Sequence, residues 1–260
     1  MRLSAVICSR ARSARSASPT PTTTATNFLN PKKPIIPSHR KNHNVTNRTT
    51  IAVFAALIFV AAGCRWVGIR GNGHIKTDER TISAFANIDA SGAFQIEWKS
   101  GAPALSITTD ENLLTYIDNH ISGDTLRLRT HEQIWPTHGI KVVISSPTRA
   151  GARISGAVKL TANQISGPKF ALESTGASQV KLDGNVDELL ADMTGASDLN
   201  ASGLQTKTIE ISTTGAADAE IAVSEILKVA ITGAGKVSYS GNPKTIEKHI
   251  TGAGSIRHRD

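Results

Sequence analysis

Apolar and polar residues alternate with a period of two over most of the second half of the chain, as in Val180-Lys181-Leu182-Asp183 and Ile209-Glu210-Ile211-Ser212. Successive side chains of a strand point to opposite sides, so this alternation predicts strands with one buried face. A less regular form runs through Phe94-Gln95-Ile96-Glu97-Trp98, Leu105-Ser106-Ile107-Thr108 and Leu126-Arg127-Leu128-Arg129, and Ile140 to Ser146 reads as a short apolar strand. Asp110-Glu111-Asn112-Leu113-Leu114 breaks the alternation and is expected to form a helical turn or a loop.

The alternation is itself periodic. Ser/Thr-Gly-Ala recurs six times, with glycines at Gly156, Gly176, Gly195, Gly215, Gly233 and Gly252, spaced 20, 19, 20, 18 and 19 residues apart. Ser91-Gly92-Ala93 is an earlier, degraded copy. Aligned on the glycine, the next position is always alanine: Ala157, Ala177, Ala196, Ala216, Ala234 and Ala253. Four after the glycine stand Leu160, Val180, Leu199, Ala219, Val237 and Ile256; six before it stand Phe170, Leu189, Ile209, Leu227 and Ile246. Each repeat is thus expected to hold two short strands joined at the Gly-Ala bend. A second turn follows at Gly184, Gly203 and Gly241 in three copies.

A unit this small cannot bury its own apolar face. Stacking the units places identical columns above one another at the strand spacing of ~4.8 Å, with every backbone donor and acceptor paired to a neighbouring coil. The pattern therefore predicts an all-β fold, a single-stranded parallel β-helix over residues 81–260, with residues 81–150 forming the first, less regular coils. The alanine column is expected where larger side chains do not fit. Glycine at the bend permits backbone angles that other residues resist. Leucine-rich repeats lack a counterpart here to their Leu/Asn ladder, and propeller blades need about twice the period. Arg257-His258-Arg259-Asp260 reads as a charged guard on the last strand edge.

The N-terminal quarter has a different character. Residues 1–50 hold nine basic and no acidic residues, are rich in Ser, Thr and Pro, and show no apolar periodicity. They are expected to be disordered, either as a long basic leader or because the true start lies downstream, with Val45 a candidate. Residues Ile51 to Ala62 are uninterruptedly apolar, too short for a spanning helix, which needs ~20 residues, and suited to a signal peptide's apolar region. Val60-Ala61-Ala62-Gly63-Cys64 reads as a lipobox, with Ala61 where Leu is usual. This makes Cys64 a lipid anchor and membrane attachment point, and Arg65 after it favours the outer membrane. A plain secretory signal or an uncleaved anchor are the alternatives for residues 51–64. Residues 65–80, with Gly68, Gly71 and Gly73, read as a tether.

Charge follows this division. Of 29 basic residues nine lie in 1–50, leaving 20 basic against 21 acidic residues in the remainder. A nucleic-acid binder carries its basic footprint on the folded domain, so nucleic acid is not expected as a partner. The only cysteines, Cys8 and Cys64, precede the folded part, which leaves no thiol chemistry there. Aromatic residues make up 4%, so the core must be aliphatic.

The residues also carry a resemblance. Phe85-Ala86-Asn87-Ile88, the Asp110 to Ile117 segment, Gly-Asp-Thr-Leu at 123–126 and the Gly-Ala-Ser or Gly-Ala-Gly repeats resemble the putative auto-transporter adhesin head GIN domain family over about residues 85–256. That resemblance implies a bacterial envelope protein, often a lipoprotein, with a right-handed parallel β-helix and no established biochemical activity. It supplies no catalytic residues.

For chemistry, the column three after the glycine reads Lys159, Gln179, Asp198, Asp218, Lys236 and Ser255. Stacking would set Asp198 and Asp218 side by side, close enough to share a cation or shift one carboxyl. Glu173 and Asp192 stack in the same way. The plainer expectation is a solvated ladder, with Lys236 offsetting Asp218 and no third acid joining the pair. A polysaccharide lyase or hydrolase would need such paired carboxylates. His120, His131 and His138 lack metal-ligand spacing, and no metal or cofactor is expected. Trp66, Trp98 and Trp135 could stack on sugar rings, but lone tryptophans are more often core. The sequence thus points to a non-enzymatic envelope scaffold that binds a glycan or an envelope protein, with the polysaccharide-active enzyme as alternative.

Overall fold

The computed structural model describes residues 68–259. The alternating segments form strands whose apolar members point into one shared interior. In chain order these are β1 (Ile69–Arg70), β2 (Ile75–Arg80), β3 (Asn87–Gly92), β4 (Phe94–Ser100) and β5 (Ala104–Asp110). A 3₁₀ helix (Glu111–Tyr116) follows, then β6 (Ile117–Ser122), β7 (Thr125–Thr130), β8 (Ile134–Trp135), β9 (Ile140–Ser146) and β10 (Gly151–Gly156). The regular coils are β11 (Lys159–Gly176), β12 (Gln179–Gly195), β13 (Asp198–Gly215) and β14 (Asp218–Gly233), completed by β15 (Lys236–Ser240), β16 (Thr245–Gly252) and β17 (Ser255–His258). They build a parallel β-helix of about five turns.

Each coil has a leading face before the glycine bend and a trailing face after it. Strands on both faces pair in parallel and in register, so Gly92, Gly156, Gly176, Gly195, Gly215, Gly233 and Gly252 stack on one another. At Gly195 the backbone sits at φ +110, and an added Cβ would lie 2.4 Å from the Gly176 carbonyl oxygen. Handedness of the backbone and closeness of the coil below both demand glycine there. The two-strand coil expected from the alternation is incomplete: a short third face, such as Ile165–Gly167 pairing Gly184–Val186, joins trailing to leading face. The register slips by a residue or more where it begins.

The interior is a set of aliphatic columns, one being Ile88, Ala152, Leu172, Ala191, Ile211 and Val229, all buried. Each fully buried large aliphatic contributes about 1.5–3 kcal/mol against conformational entropy. The alanine column does not belong to this interior. Ala157, Ala177, Ala196, Ala216, Ala234 and Ala253 are exposed, and the tight place is one residue later. There Val158, Ser178, Ser197, Ala217 and Gly235 point inward, and a Cβ on Gly235 would lie 2.8 Å from the Ala217 carbonyl oxygen. The bend turns the first residue after glycine outward and the second inward. Nothing in the structure explains why the outward position is always alanine.

The N-terminal end departs from simple coils. β3, β4, β7 and β9 continue the parallel stack, but β5 lies antiparallel on β9, β6 antiparallel on β7, and β2 antiparallel on β5. The 3₁₀ helix buries Leu113 and Leu114 over this end. Arg80 ties it down by donating to the carbonyl oxygens of Leu114 (3.0 Å) and Ile117 (2.8 Å). Residues 69–70 and 75–80 are therefore sheet, not tether: β1 pairs β8 and β2 pairs β5. Where the third face is missing, aromatic rings fill the gap. Trp98 is fully buried, stacks on Phe85 with ring centroids 5.9 Å apart, and donates its indole N–H to Ser146 Oγ at 2.9 Å. Trp98 is core, unavailable to a sugar.

The opposite end is bare. All eight residues of β16 are exposed, and Ile246 and Ile250 stand open to solvent. Among the described residues no helix is long and apolar enough to cross a membrane. The apolar run Ile51–Ala62, Cys64 and Trp66 lie outside the described residues.

Candidate functional site

A β-helix side is a flat sheet whose outward side chains repeat at the strand spacing, so ladders of like-positioned residues are its natural binding elements. On the leading face one such ladder runs Arg127, Asp89, Arg153, Glu173 and Asp192. These charges are largely spent on one another. Arg153 donates to both oxygens of Glu173 at 2.7 and 2.9 Å, which holds the Glu173 carboxyl below its ordinary range. Arg129 donates to Asp89 at 3.0 Å, with Arg127 3.8 Å from the same carboxylate. Glu173 and Asp192 are register neighbours as the columns predict, but Glu173 already has its cation.

The trailing face carries two outward columns. The first reads Lys141, Gln95, Lys159, Gln179, Asp198, Asp218, Lys236 and Ser255. The second reads Val143, Glu97, Thr161, Lys181, Asn200, Glu220, Ser238 and Arg257. Asp198 and Asp218 are direct neighbours on adjoining coils. They share a groove of about 290 Å³ with Asn200, Glu220, Lys236 and Ser238. A third acid, Glu220, thus does join the pair, from the neighbouring outward column. Glu220 is engaged by Arg259 at 2.8 Å, and Lys236 follows Asp218 in its column. Neither aspartate is itself in an ion pair among the described residues.

Toward the N-terminal end the same strip turns basic. Two adjoining shallow grooves, of about 180 and 200 Å³, share Lys159 and Thr161 and run from Lys141 past Gln95, Gln179 and Lys181 to Asn200.

The remaining candidates do not converge. His120 is exposed on β6, His131 lies 3.0 Å from Asp118, and the His138 ring contacts Thr137 Oγ1 at 2.9 Å. No group of three His, Cys, Asp or Glu able to hold a metal ion occurs among the described residues. Trp135 is half-buried on β8, beside Gly68.

Two polar centres escaped the sequence reading. Asp110, fully buried, accepts hydrogen bonds from Gly73 N–H (2.7 Å), Thr137 N–H (2.8 Å) and Thr137 Oγ1 (2.8 Å). Arg149, also buried, donates to the carbonyl oxygens of Asn163 (2.9 Å) and Gln164, and burial pushes its pKa down. It caps the open edge of the third face where the first coil lacks that face. Both tie separate stretches of backbone together.

Known proteins match this architecture. A crystal structure described as a putative adhesin from Bacteroides fragilis NCTC 9343 superposes with a TM-score of 0.63 at 20% identity, covering 74% of this chain and all of that one. A putative lipid binding protein from Parabacteroides distasonis ATCC 8503 matches with a TM-score of 0.47 at 22% identity, over 74% of this chain and 99% of that one. No curated protein matches the chain. At 20% identity the Bacteroides fragilis structure speaks for the fold alone. The family model described as "Putative auto-transporter adhesin, head GIN domain" matches residues 84–243, more than half of the sequence, and the chain belongs to that family.

Proposed function

We propose that this chain is a non-enzymatic binding scaffold of the bacterial cell envelope. It is exported, held at the outer membrane by a lipid on Cys64, and presents the flat sides of its β-helix to a glycan or an envelope protein. The observation that carries this reading is the trailing-face strip, an unbroken row of outward polar side chains from Lys141 to Ser255 over a solid aliphatic core. Such a strip offers many weak, regularly spaced contacts and no enclosed cavity, which suits adhesion to a polymer better than turnover of a small substrate. The family and the Bacteroides fragilis structure are each described as a "putative" adhesin, which supports this reading.

The adjacency of Asp198 and Asp218 is the one feature that favours the alternative, a polysaccharide lyase or hydrolase. The open groove around the aspartates and the Glu220–Arg259 pair weigh against it, since the further acid in that groove is already held by an arginine. Binding to a glycan array, run beside an assay for newly released reducing ends, separates the two. The scaffold reading expects retained glycan and no release. Release abolished by Asp198→Ala or Asp218→Ala would transfer the function to the enzyme reading. For the anchor, labelled palmitate should enter the wild-type chain in growing cells and not a Cys64→Ser variant.

A further inference from the structure

The lysines of the trailing strip differ in one respect from the arginines of the leading face. Lys141, Lys159 and Lys181 form no ion pair among the described residues, whereas Arg127, Arg129 and Arg153 all face carboxylates. Glu97, the one acid between them, is taken by Lys99 at 3.2 Å. Lys141 and Lys159 are separated by a single intervening coil carrying Gln95, so their stems stand about 10 Å apart along the helix axis at ~4.8 Å per coil. Lys181 follows one coil later in the second column. Between and beside the lysines lie Gln95, Thr161, Gln179 and Asn200, all able to donate and accept hydrogen bonds, and one acid, Asp198, lines the far end of the second groove, one coil beyond Lys181.

We propose that this strip binds an extended acidic polysaccharide lengthwise, a deeper form of the scaffold reading on which it rests. Lys141, Lys159 and Lys181 meet the anionic groups, and the amides and hydroxyls between them meet sugar hydroxyls. The chemistry of the strip selects this class of partner. A protein partner is anchored by apolar or aromatic residues at the interface centre, and the grooves expose only the edges of Ile96, Leu160 and Val180, which are themselves buried. A lipid surface is gripped by exposed apolar side chains, which the strip lacks. Single-stranded nucleic acid is held by stacking aromatics, and no aromatic residue lines either groove. A hydroxyl-rich polyanion of repeating charge needs none of these. Individually exposed ammonium contacts are weak, so affinity grows with polymer length through multivalency.

The test compares the full chain with its K141Q/K159Q/K181Q variant for binding to polygalacturonate, dextran and polyadenylate. A K169Q/K207Q/K228Q variant, altered on other faces, carries the same change in net charge. All three chains keep the basic N-terminal stretch, so differences among them read the strip. Wild type should bind polygalacturonate and not dextran, should weaken with added salt, and should prefer long over short oligomers. The strip variant should lose at least tenfold in affinity and the other-face variant less than twofold, with melting temperatures unchanged in both. Equal losses in the two variants, absent binding to polygalacturonate, or polyadenylate bound as tightly would each overturn the proposal. If the glycan array still showed a neutral ligand in that event, the scaffold function would stand without this strip.

Discussion

Gly195 stacks on Gly176 so closely that a methyl group on the former would lie 2.4 Å from the carbonyl oxygen of the latter. The same contact recurs down the bend, at 2.7 Å for Gly176 on Gly156 and 2.6 Å for Gly215 on Gly195. Gly195→Ala must therefore both adopt φ near +110 and push two coils apart. The expected cost is on the order of 3 kcal/mol, read as a lower urea midpoint. Ala196→Ser, one residue on, places its hydroxyl in solvent and should shift the midpoint by less than about 0.5 kcal/mol equivalent. Equal losses at the two positions would show that the bend is not the tight point.

Asp110 sets a pH limit on the N-terminal end. Burial raises its carboxyl, but the hydrogen bonds from Thr137 N–H, Thr137 Oγ1 and Gly73 N–H outweigh it, and the net shift is downward. A carboxyl depressed in the folded state contributes stability that is complete above its unfolded value of about 3.9. That stability is lost as pH falls through the lower, folded value. Amide exchange at Gly73 and Thr137 should accelerate in that acid window before the coils unfold. Asp110→Asn puts an amide donor against one of the two N–H groups, since Gly73 and Thr137 donate to different carboxylate oxygens. It should cost about 1–3 kcal/mol at neutral pH and remove the acid-dependent step. An unchanged acid profile in the variant would assign that step to other groups.

How much of this was legible depends on whether a residue's role is set by its own repeat. The glycine pitch and the alternation are, because stacking copies each residue's environment onto the next. The parallel helix followed from them. The direction of the alanine column was not, since a small residue repeated six times reads alike whether it faces a tight core or open solvent. The N-terminal cap was hidden for another reason. Asp110 meets Gly73 and Thr137 across 37 and 27 residues, and Gly71 is small because a Cβ there would strike the Asp110 carboxylate at 2.3 Å. Such one-off contacts leave no period. At the candidate site, the neighbouring aspartates were visible in one column, while Glu220 and the lysine strip emerged only when two columns were laid side by side.

Trp98 decides between a core and a sugar platform by burial. Its indole is enclosed by Phe85, Phe170 and Ser146. Trp98→Ala should cost about 3–5 kcal/mol in denaturation while leaving glycan affinity of the folded fraction unchanged. A loss of affinity without loss of stability would place the ring in a binding surface after all.

In the last described coil, β16 pairs β14 on one side and leaves its other edge open. The inward column Leu172, Ala191, Ile211 and Val229 ends not in another aliphatic but in Lys248. It stands between Ile246 and Ile250, which are 43% and 39% exposed. A strand edge that offers isoleucines and unpaired backbone groups invites a further strand. An inward-pointing ammonium opposes this, because burying it unpaired beneath an added coil costs several kcal/mol. Lys248, more than the terminal Arg257-His258-Arg259 run, is placed to guard the edge. Lys248→Ile would complete the aliphatic column and should yield concentration-dependent association in sedimentation velocity, whereas Lys248→Glu should not. If the isoleucine variant sediments as wild type does across a hundredfold range of concentration, the guard lies elsewhere, and neutralising Arg257 and Arg259 together becomes the change expected to release it.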